Sequence, residues 1–289
     1  MRHIVSAVLS LWTVAGGFAY AQPPMWVVSD DDSTLTLIPT IHILPDETEW
    51  RSAQMQQAID AAEEVWFEVL PAQLNDEVLI RRLMRRYGVS KDVTLPERLG
   101  EETYQRLAEL TAELGIPIEN LASFRPWLVA VTLAVKDLTR DGFSPDAGVE
   151  AVLARDVPVD KHRGLETLDQ QLGFFATFSP ELEEAFLVQT MDEIGKGAEQ
   201  LRQLVDAWSK GDVSAIETLI ITNIRDVSEE LYTTLLVERN KAWTEKIIAE
   251  LDGSGTDLVA VGAGHLVGAD GVPEMLRKRG YRVSGPGDE

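Results

Sequence analysis

The hydrophobic pattern repeats near the two ends of the chain. Strands are predicted at 34–38 and 257–261, and each leads through a turn and two small or apolar residues to a histidine, His42 or His265. An acidic loop, a helix and a second strand then follow in both places. Apolar runs of this length are typical of strands buried in a parallel sheet. Two β-loop-α-β units predict an α/β fold whose central, mostly parallel sheet is formed by both ends of the chain.

The middle of the chain, about residues 74–251, has the apolar spacing of helices. The residues 127–134 include only Thr132 as a polar side chain, so we expect that helix to be buried on all sides. The sequence therefore predicts a largely helical middle insertion. Helices are predicted at 49–62, 74–87, 96–114, 126–138, 148–156, 180–208, 213–221, 228–251 and 273–279. Further short strands are predicted at 65–70, 157–159 and 281–283.

The first residues have the pattern of a secretory signal peptide. A short basic start precedes the mostly apolar residues 4–18, and an A-x-A cleavage signature follows at 19–21. We predict that residues 1–21 are removed, that Gln22 begins the mature chain, and that the protein is periplasmic or secreted. An uncleaved anchor is the alternative, although the apolar run is short for a membrane span.

Composition narrows the range of partners. The 289 residues include 48 acidic and 26 basic side chains, which gives a formal net charge of −22. Such acidity argues against a nucleic-acid partner and an anionic membrane surface, since little cationic surface can replace phosphate counterions. It fits a cationic partner, a divalent metal, or solubility alone. We expect no transmembrane span in the mature chain, and the chain has no cysteine to form disulfides.

Two of the four histidines follow equivalent strands of the end units. Ligand sites in parallel sheets form at the carboxyl ends of strands, so we expect His42 and His265 to approach one another. Glu68 lies in the apolar strand 65–70, where an ionised carboxylate needs an arginine, a metal or a proton. The alternatives are unrelated core histidines and a structural ion pair at Glu68. His162 lies among charged residues, so we expect it in a solvated loop.

The predicted helix over 228–251 directs two polar side chains towards the core. Arg239 comes four residues after Leu235, and Asn240 four after Leu236, so both follow the apolar stripe. An inward Arg–Asn pair is unfavourable unless it contacts carboxylates or a substrate. We predict that Arg239 stabilises developing oxyanion charge and that Asn240 orients a neighbour. A purely structural network is the alternative.

Several motifs, taken in chain order, resemble the TraB/GumN family, which is related to the Tiki metalloproteases. The resemblance covers essentially the whole mature chain, 22–289, as one domain. It implies paired G-x-x-H motifs and a buried glutamate, but Pro39 stands where the first motif usually has glycine. The specific motif is Gly262 to Pro273 with Leu276 and Gly280-Tyr281-Arg282-Val283. The weaker motifs are Thr40-Ile41-His42, Trp66-Phe67-Glu68, Arg125-Pro126-Trp127, Gly148-Val149-Glu150, Leu165-Glu166-Thr167 with Gln171-Leu172, and Glu238-Arg239-Asn240 with Trp243.

The resemblance implies a metal-dependent hydrolase of the peptidase type, acting on a peptide or a small ester. His42, Glu68 and His265 would bind a divalent manganese, cobalt or zinc ion that activates water. Erythromycin-esterase-like relatives suggest instead a metal-free site in which a histidine is the general base. GumN-like members suggest a non-catalytic envelope accessory or ligand-binding protein linked to polysaccharide production. The presence of His42, Glu68, Arg239 and His265 together favours an enzyme over a non-catalytic protein.

Overall fold

A six-stranded sheet forms the centre of the computed structural model, which describes residues 22–46 and 48–286. The predicted signal peptide, residues 1–21, lies outside the described residues. The strands are β1 (Trp26–Ser29), β2 (Ser33–Thr40), β3 (Leu44–Pro45), β4 (Val65–Val69), β5 (Phe143–Ser144), β6 (His162–Glu166), β7 (Gly255–Gly262) and β8 (Arg282–Ser284). β3 and β5 pair with each other, and the other six strands have the order β6-β4-β7-β2-β1-β8.

Strands from both ends of the chain interleave in this sheet. β7 pairs in parallel with β2 on one side and with β4 on the other, and β4 pairs in parallel with β6. β1 is antiparallel to both β2 and β8, so β8 runs in the same direction as β7. The predicted mostly parallel sheet is thus confirmed. Its central strands are buried because they are apolar on both faces, as at Leu37 and Leu258.

Pro39 is accommodated within β2 because no strand pairs with it on one side. β1 begins at Trp26, opposite Leu37, so Pro39 lies beyond the end of that strand. Its carbonyl oxygen accepts a hydrogen bond from Trp208 Nε1 at 2.9 Å. The nitrogen and carbonyl of one strand residue point to the same side, so the proline ring faces away from β7. Proline here removes no hydrogen bond from the β2–β7 ladder.

Helices surround the sheet and make up the middle of the chain. Three of them, α1 (Ala53–Ala61), α14 (Glu238–Leu251) and α15 (Val272–Lys278), pack directly on the sheet. The α-helices are α1 (Ala53–Ala61), α2 (Pro71–Leu74), α3 (Glu77–Leu83), α4 (Leu95–Arg98), α5 (Glu101–Glu113), α6 (Pro126–Arg140), α7 (Val149–Asp156), α8 (Leu168–Ala176), α9 (Pro180–Glu193), α10 (Gly197–Ser209), α11 (Val213–Glu217), α12 (Asn223–Val227), α13 (Glu229–Tyr232), α14 (Glu238–Leu251) and α15 (Val272–Lys278). Three π-helical segments are Met84–Gly88, Thr218–Thr222 and Thr233–Val237. Short 3₁₀ turns are Ile118–Leu121, Pro145–Ala147, Val159–Lys161 and Ala263–His265.

Two long predicted helices are interrupted. The helix predicted over 96–114 is divided between α4 and α5, because Leu99 adopts an extended conformation. The helix predicted over 180–208 is divided between α9 and α10, where Gly195 has a φ of +81°. Glycine reaches this left-handed region without the steric strain that a Cβ introduces, and it commonly ends helices.

The predictions for the segment around His162 are wrong. Residues 157–159 do not form a strand, since Pro158 lacks an N–H for a ladder and leads into a 3₁₀ turn. The strand β6 begins instead at His162, which is buried rather than solvated. Its Nε2 donates to the carbonyl oxygen of Val157 at 3.0 Å, and its ring packs edge-on against Phe67 at 5.1 Å.

The helix α6 is buried at its start but not on all sides, contrary to the prediction. Trp127 is only 1% exposed, whereas Val131 and Val135 are 36% and 38% exposed. The neighbouring helices α9 and α10 leave this stripe partly uncovered. Isolated exposed valines are ordinary on protein surfaces. In the part of the chain that the structure describes, no helix has the length and apolar character needed to cross a membrane.

Candidate functional site

The carboxyl ends of the parallel strands meet at one edge of the sheet, and three predicted side chains converge there. Glu68 is the penultimate residue of β4, His42 follows β2, and His265 ends the 3₁₀ turn after β7. A Cβ atom on Gly262 would lie 3.0 Å from Glu68 Oε1, 3.6 Å from His42 Nε2 and 3.7 Å from His265 Cδ2. The three residues therefore surround the end of β7, where ligand sites of parallel sheets form.

Glu68 is buried, and each of its carboxylate oxygens accepts at least one hydrogen bond. Its Oε1 accepts from the Gly262 amide at 2.8 Å, and its Oε2 accepts from Arg239 Nη2 at 2.7 Å and from Gln171 Nε2 at 3.2 Å. Burial by itself raises the pKa of this carboxyl, but the Arg239 guanidinium and the Gly262 amide outweigh it and hold the pKa below its usual range. Glu68 is therefore ionised, and its partner is an arginine.

Arg239 uses all five of its N–H groups on protein acceptors. Nε donates to Glu166 at 3.2 Å, and Nη2 donates to both Glu166 and Glu68 at 2.7 Å. Nη1 donates to the Leu235 carbonyl oxygen at 3.0 Å and to His265 Nε2 at 3.1 Å. The side chain is only 8% exposed. Every N–H donor of Arg239 is thus engaged, and the side chain joins Glu68, Glu166 and His265. Its predicted role as an oxyanion stabiliser stays a prediction.

His265 is held as a neutral imidazole with a defined tautomer. Because Arg239 can only donate, Nε2 of His265 accepts, and Nδ1 donates to Asn240 Oδ1 at 2.5 Å. Asn240 is fixed in turn, since its Nδ2 donates to the Asp270 carbonyl oxygen at 2.7 Å. Burial and the nearby Arg239 charge lower the pKa of His265 to about 3. The Asn240 side chain thus holds the His265 ring through Nδ1. Both ring nitrogens of His265 are engaged, since Nε2 accepts from Arg239.

His42 differs from His265 because it faces open space. Its side chain is 64% exposed, and its Nδ1 lies 2.8 Å from Glu150 Oε1. Thr40 Oγ1 also donates to that oxygen. The other oxygen of Glu150 is buried and has no hydrogen-bond partner among the described residues. The Glu150 carboxylate, assisted by Glu68, raises the pKa of His42 above its usual range.

Among the described residues, one cluster has the spacing of a metal site. It consists of His42, Glu68 and Glu150, with one ligand atom from each residue within 4.8 Å of the other two. Imidazole nitrogen and carboxylate oxygen are ligands that zinc, manganese and cobalt accept. The cluster includes Glu150 and not His265, which the sequence predicted as the third ligand. The unpartnered Glu150 oxygen is a donor atom that a cation would satisfy, so these residues fit a divalent metal.

Gly148 explains how Glu150 reaches His42. The helix α7 begins directly after Gly148, and the Val149 amide donates to the Ile41 carbonyl oxygen at 3.1 Å. A Cβ on Gly148 would lie 2.1 Å from the His42 carbonyl oxygen, a distance that no side chain tolerates. Only glycine lets the start of this helix come so close to the loop after β2.

Sequence reasoning missed three members of the site, although each lies within a motif of the family resemblance. Glu150 contacts His42, while Glu166 and Gln171 hydrogen bond to Arg239 and Glu68 respectively. No local spacing connects these residues, because their contacts arise only when distant strands and helices meet. The glycine two positions before Glu150 is the signal that could have indicated a close approach of backbones.

A cavity of about 610 Å³ opens beside the cluster. Its polar side includes His42, Glu68, Glu150 and Gln171. Its apolar lining residues are Pro71, Ala72, Leu74, Ala151, Ala154 and Val159, with others. A volume of this order accommodates a small molecule or a short peptide segment next to the cluster.

The chain is similar in sequence to a known family and to several bacterial proteins. The TraB/PrgY/gumN family model matches residues 24–285. The uncharacterized protein YbaP of Escherichia coli (strain K12) is 30% identical over 187 residues, which cover 63% of this chain and 68% of YbaP, and YbaP of Shigella flexneri matches to the same extent. An uncharacterized protein of Treponema pallidum (strain Nichols) is 21% identical over 270 residues, 88% of this chain and 80% of that protein. No solved structure matches the chain.

Proposed function

The chain belongs to the TraB/PrgY/gumN family, and on that premise we propose that it is an exported hydrolase whose divalent metal is held by His42, Glu68 and Glu150. The substrate class is a peptide or a small ester, as the resemblance to Tiki metalloproteases suggests. One observation carries the proposal: ligand atoms of these three residues lie within 4.8 Å of one another at the wall of an open cavity.

The chain's own residues prepare this cluster for a cation. Glu68 is kept ionised by Arg239 and the Gly262 amide, so it offers a carboxylate that need not lose a proton. Glu150 is oriented by the Thr40 hydroxyl. When bound, a divalent metal supplies an acidified water and a polarised carbonyl. Such outer hydrogen bonds fix ligand geometry before the substrate arrives.

Electrostatics also support a cation at this point. The Glu68 and Glu150 side chains lie beside the His42 imidazole, and Glu150 in particular raises the pKa of His42. The protonated imidazole is the positive charge that the two carboxylates attract. A divalent metal would replace that proton, because an imidazole must be neutral to act as a ligand.

A metal-free hydrolase is the second candidate, and the contact between His42 and Glu150 favours it. With Nδ1 2.8 Å from a carboxylate, the imidazole is oriented as in a histidine–acid pair that activates water. The raised pKa weighs against this mechanism, since a protonated imidazole cannot accept a proton at neutral pH.

The two mechanisms are separated by metal content and by sensitivity to a chelator. We expect untagged protein to bind manganese, cobalt or zinc, and to hydrolyse members of a peptide and ester library only without chelator. Glu150→Gln should weaken metal binding by at least about tenfold and abolish turnover. Asp146→Asn is the matched control, because Asp146 lines the same cavity but does not belong to the cluster.

Other outcomes assign the protein differently. Hydrolysis that survives chelation but is lost in His42→Ala would support the metal-free mechanism. Absence of hydrolysis with every metal would support the non-catalytic role, that of an envelope accessory or ligand-binding protein linked to polysaccharide production.

A further inference from the structure

A second cavity, in the helical middle of the chain, is lined mainly by cations. Its volume is about 690 Å³, and it does not include any residue of the His42 site. Two acidic side chains, Asp92 and Glu183, also line it. An excess of positive charge here is unexpected in a chain whose net charge is −22. The lining cations are Arg82, Arg85, Arg86, Lys91, Arg98 and Arg125.

Most of this positive charge is not neutralised by the protein. Arg125 and Glu183 form a buried ion pair with side chains 17% and 1% exposed, so they cancel one another. Within the described ranges, Arg82, Arg85 and Lys91 are exposed and donate to no protein acceptor. These three cations therefore face the cavity entrance with their hydrogen-bonding capacity available.

A neighbouring arginine has a donor that the fold leaves unused. Arg98 Nη2 donates to Ser90 Oγ at 3.0 Å, which fixes the guanidinium against the cavity wall. Its Nε is buried and has no partner among the described residues. Buried donors without acceptors are uncommon, so the Ser90 contact does not exhaust the hydrogen-bonding capacity of this guanidinium.

The spacing of the arginines is unfavourable for the helix that carries them. Arg82, Arg85 and Arg86 are three and four residues apart, so they share one face of α3 and the π-helical segment that follows. Like charges at this spacing repel and destabilise a helix. Arg81 faces away from the cavity and pairs with Glu77 at 2.9 Å. Among the arginines that line the cavity from this segment, one ion pair with a carboxylate is present in the described residues. It is the exposed contact of Arg86 with Asp169 at 3.2 Å.

We propose that this cavity binds an anion that carries phosphate or carboxylate groups. Guanidinium groups form paired, charge-assisted hydrogen bonds with the oxygens of such anions. The volume suits a small phosphorylated molecule, and a lipid headgroup presents the same chemistry. An extended nucleic acid does not fit, because the rest of this acidic chain would repel it.

The test uses the full mature chain, with inorganic pyrophosphate and phosphatidylglycerol-containing vesicles as probes. Pyrophosphate binding is measured by isothermal titration calorimetry, and vesicle binding by flotation. Arg82→Gln/Arg85→Gln should weaken binding by about tenfold or more, since two guanidinium contacts are lost. Arg81→Gln/Arg202→Gln removes the same charge from exposed arginines outside the cavity and should change binding by less than about twofold.

Each result decides the proposal. Cavity-dependent binding of pyrophosphate supports a free anion, and cavity-dependent binding of vesicles alone supports a lipid headgroup. The proposal is overturned if wild type binds neither probe, or if the control variant loses as much binding as the cavity variant. All four substituted arginines are exposed, and circular dichroism confirms that each variant is folded. Since no hydrolysis is measured, the result is independent of the proposed function.

Discussion

The protonation state of His42 should control how tightly the cluster would bind a metal. The Glu150 carboxylate raises its pKa, so the imidazole is protonated at neutral pH and must release a proton to become a ligand. Metal affinity should therefore rise with pH as long as the pH is below that raised pKa. Calorimetric titration with manganese from about pH 6 to about pH 8, in two buffers of different ionisation enthalpy, should show this rise and the released proton. An affinity that does not change with pH would contradict the assignment.

Arg239 forms ion pairs with two buried carboxylates at the site, those of Glu68 and Glu166. Arg239→Leu would leave Glu68 and Glu166 buried without their cation, so we expect the free energy of unfolding to fall by about 3 kcal/mol or more. Urea unfolding measures the change. Arg81→Leu, which breaks an exposed pair with Glu77, is the control and should lower stability by less than about 1 kcal/mol. An equal fall in the free energy of unfolding of both variants would argue against a stabilising role for the buried Arg239 ion pairs.

For single residues, the sequence predicts proximity better than it predicts the role of each side chain. His42, Glu68 and His265 are predictable together because each follows or ends an apolar strand, and strand ends share one edge of a sheet. Their roles depend on hydrogen bonds that span the fold. The engagement of both His265 nitrogens, and the place of Glu150 in the cluster, could not be read from local spacing.

The helix α7 provides the clearest prediction at the scale of an element. In Gly148→Ala, a Cβ would press on the His42 carbonyl oxygen, so the helix must shift and carry Glu150 away from His42. We expect a stability loss of about 2 kcal/mol and weaker metal binding, measured by urea unfolding and calorimetry. Gly173→Ala is the control, because its added Cβ would meet nothing closer than 3.8 Å. If Gly148→Ala binds metal as wild type does, the position of α7 does not affect the metal site.

Elements were predictable where their pattern is local. Strands β4 and β7 are mostly apolar on both faces, and β2 combines apolar with β-branched residues, which is typical of strands in a buried sheet. Helix interruptions were less predictable, because Leu99 becomes extended only in the context of its neighbours. The π-helical turn Thr233–Val237 just before Arg239 requires no special residue type and therefore leaves no signature in the sequence.

Export is a property of the whole molecule and has a direct test. The pattern of residues 1–21 predicts cleavage before Gln22. Intact-mass measurement of the chain recovered from a periplasmic fraction should match a chain that begins at Gln22, with or without cyclisation of that glutamine. A periplasmic chain that retains Met1 would refute cleavage, and a chain confined to the cytoplasm would refute export.

The position of β7 in the sheet determines when β2 and β4 can be joined. This strand, from the last part of the sequence, lies between β2 and β4 and supplies the Gly262 amide that binds Glu68. The ribosome releases β7 after β2 and β4, so for a time a nascent chain has the strands that precede or carry His42 and Glu68 but not the strand that joins them. Pairings between such distant residues make folding slow. We therefore expect a chain truncated before β7 to lack the strand order that brings His42 and Glu68 to one edge of the sheet.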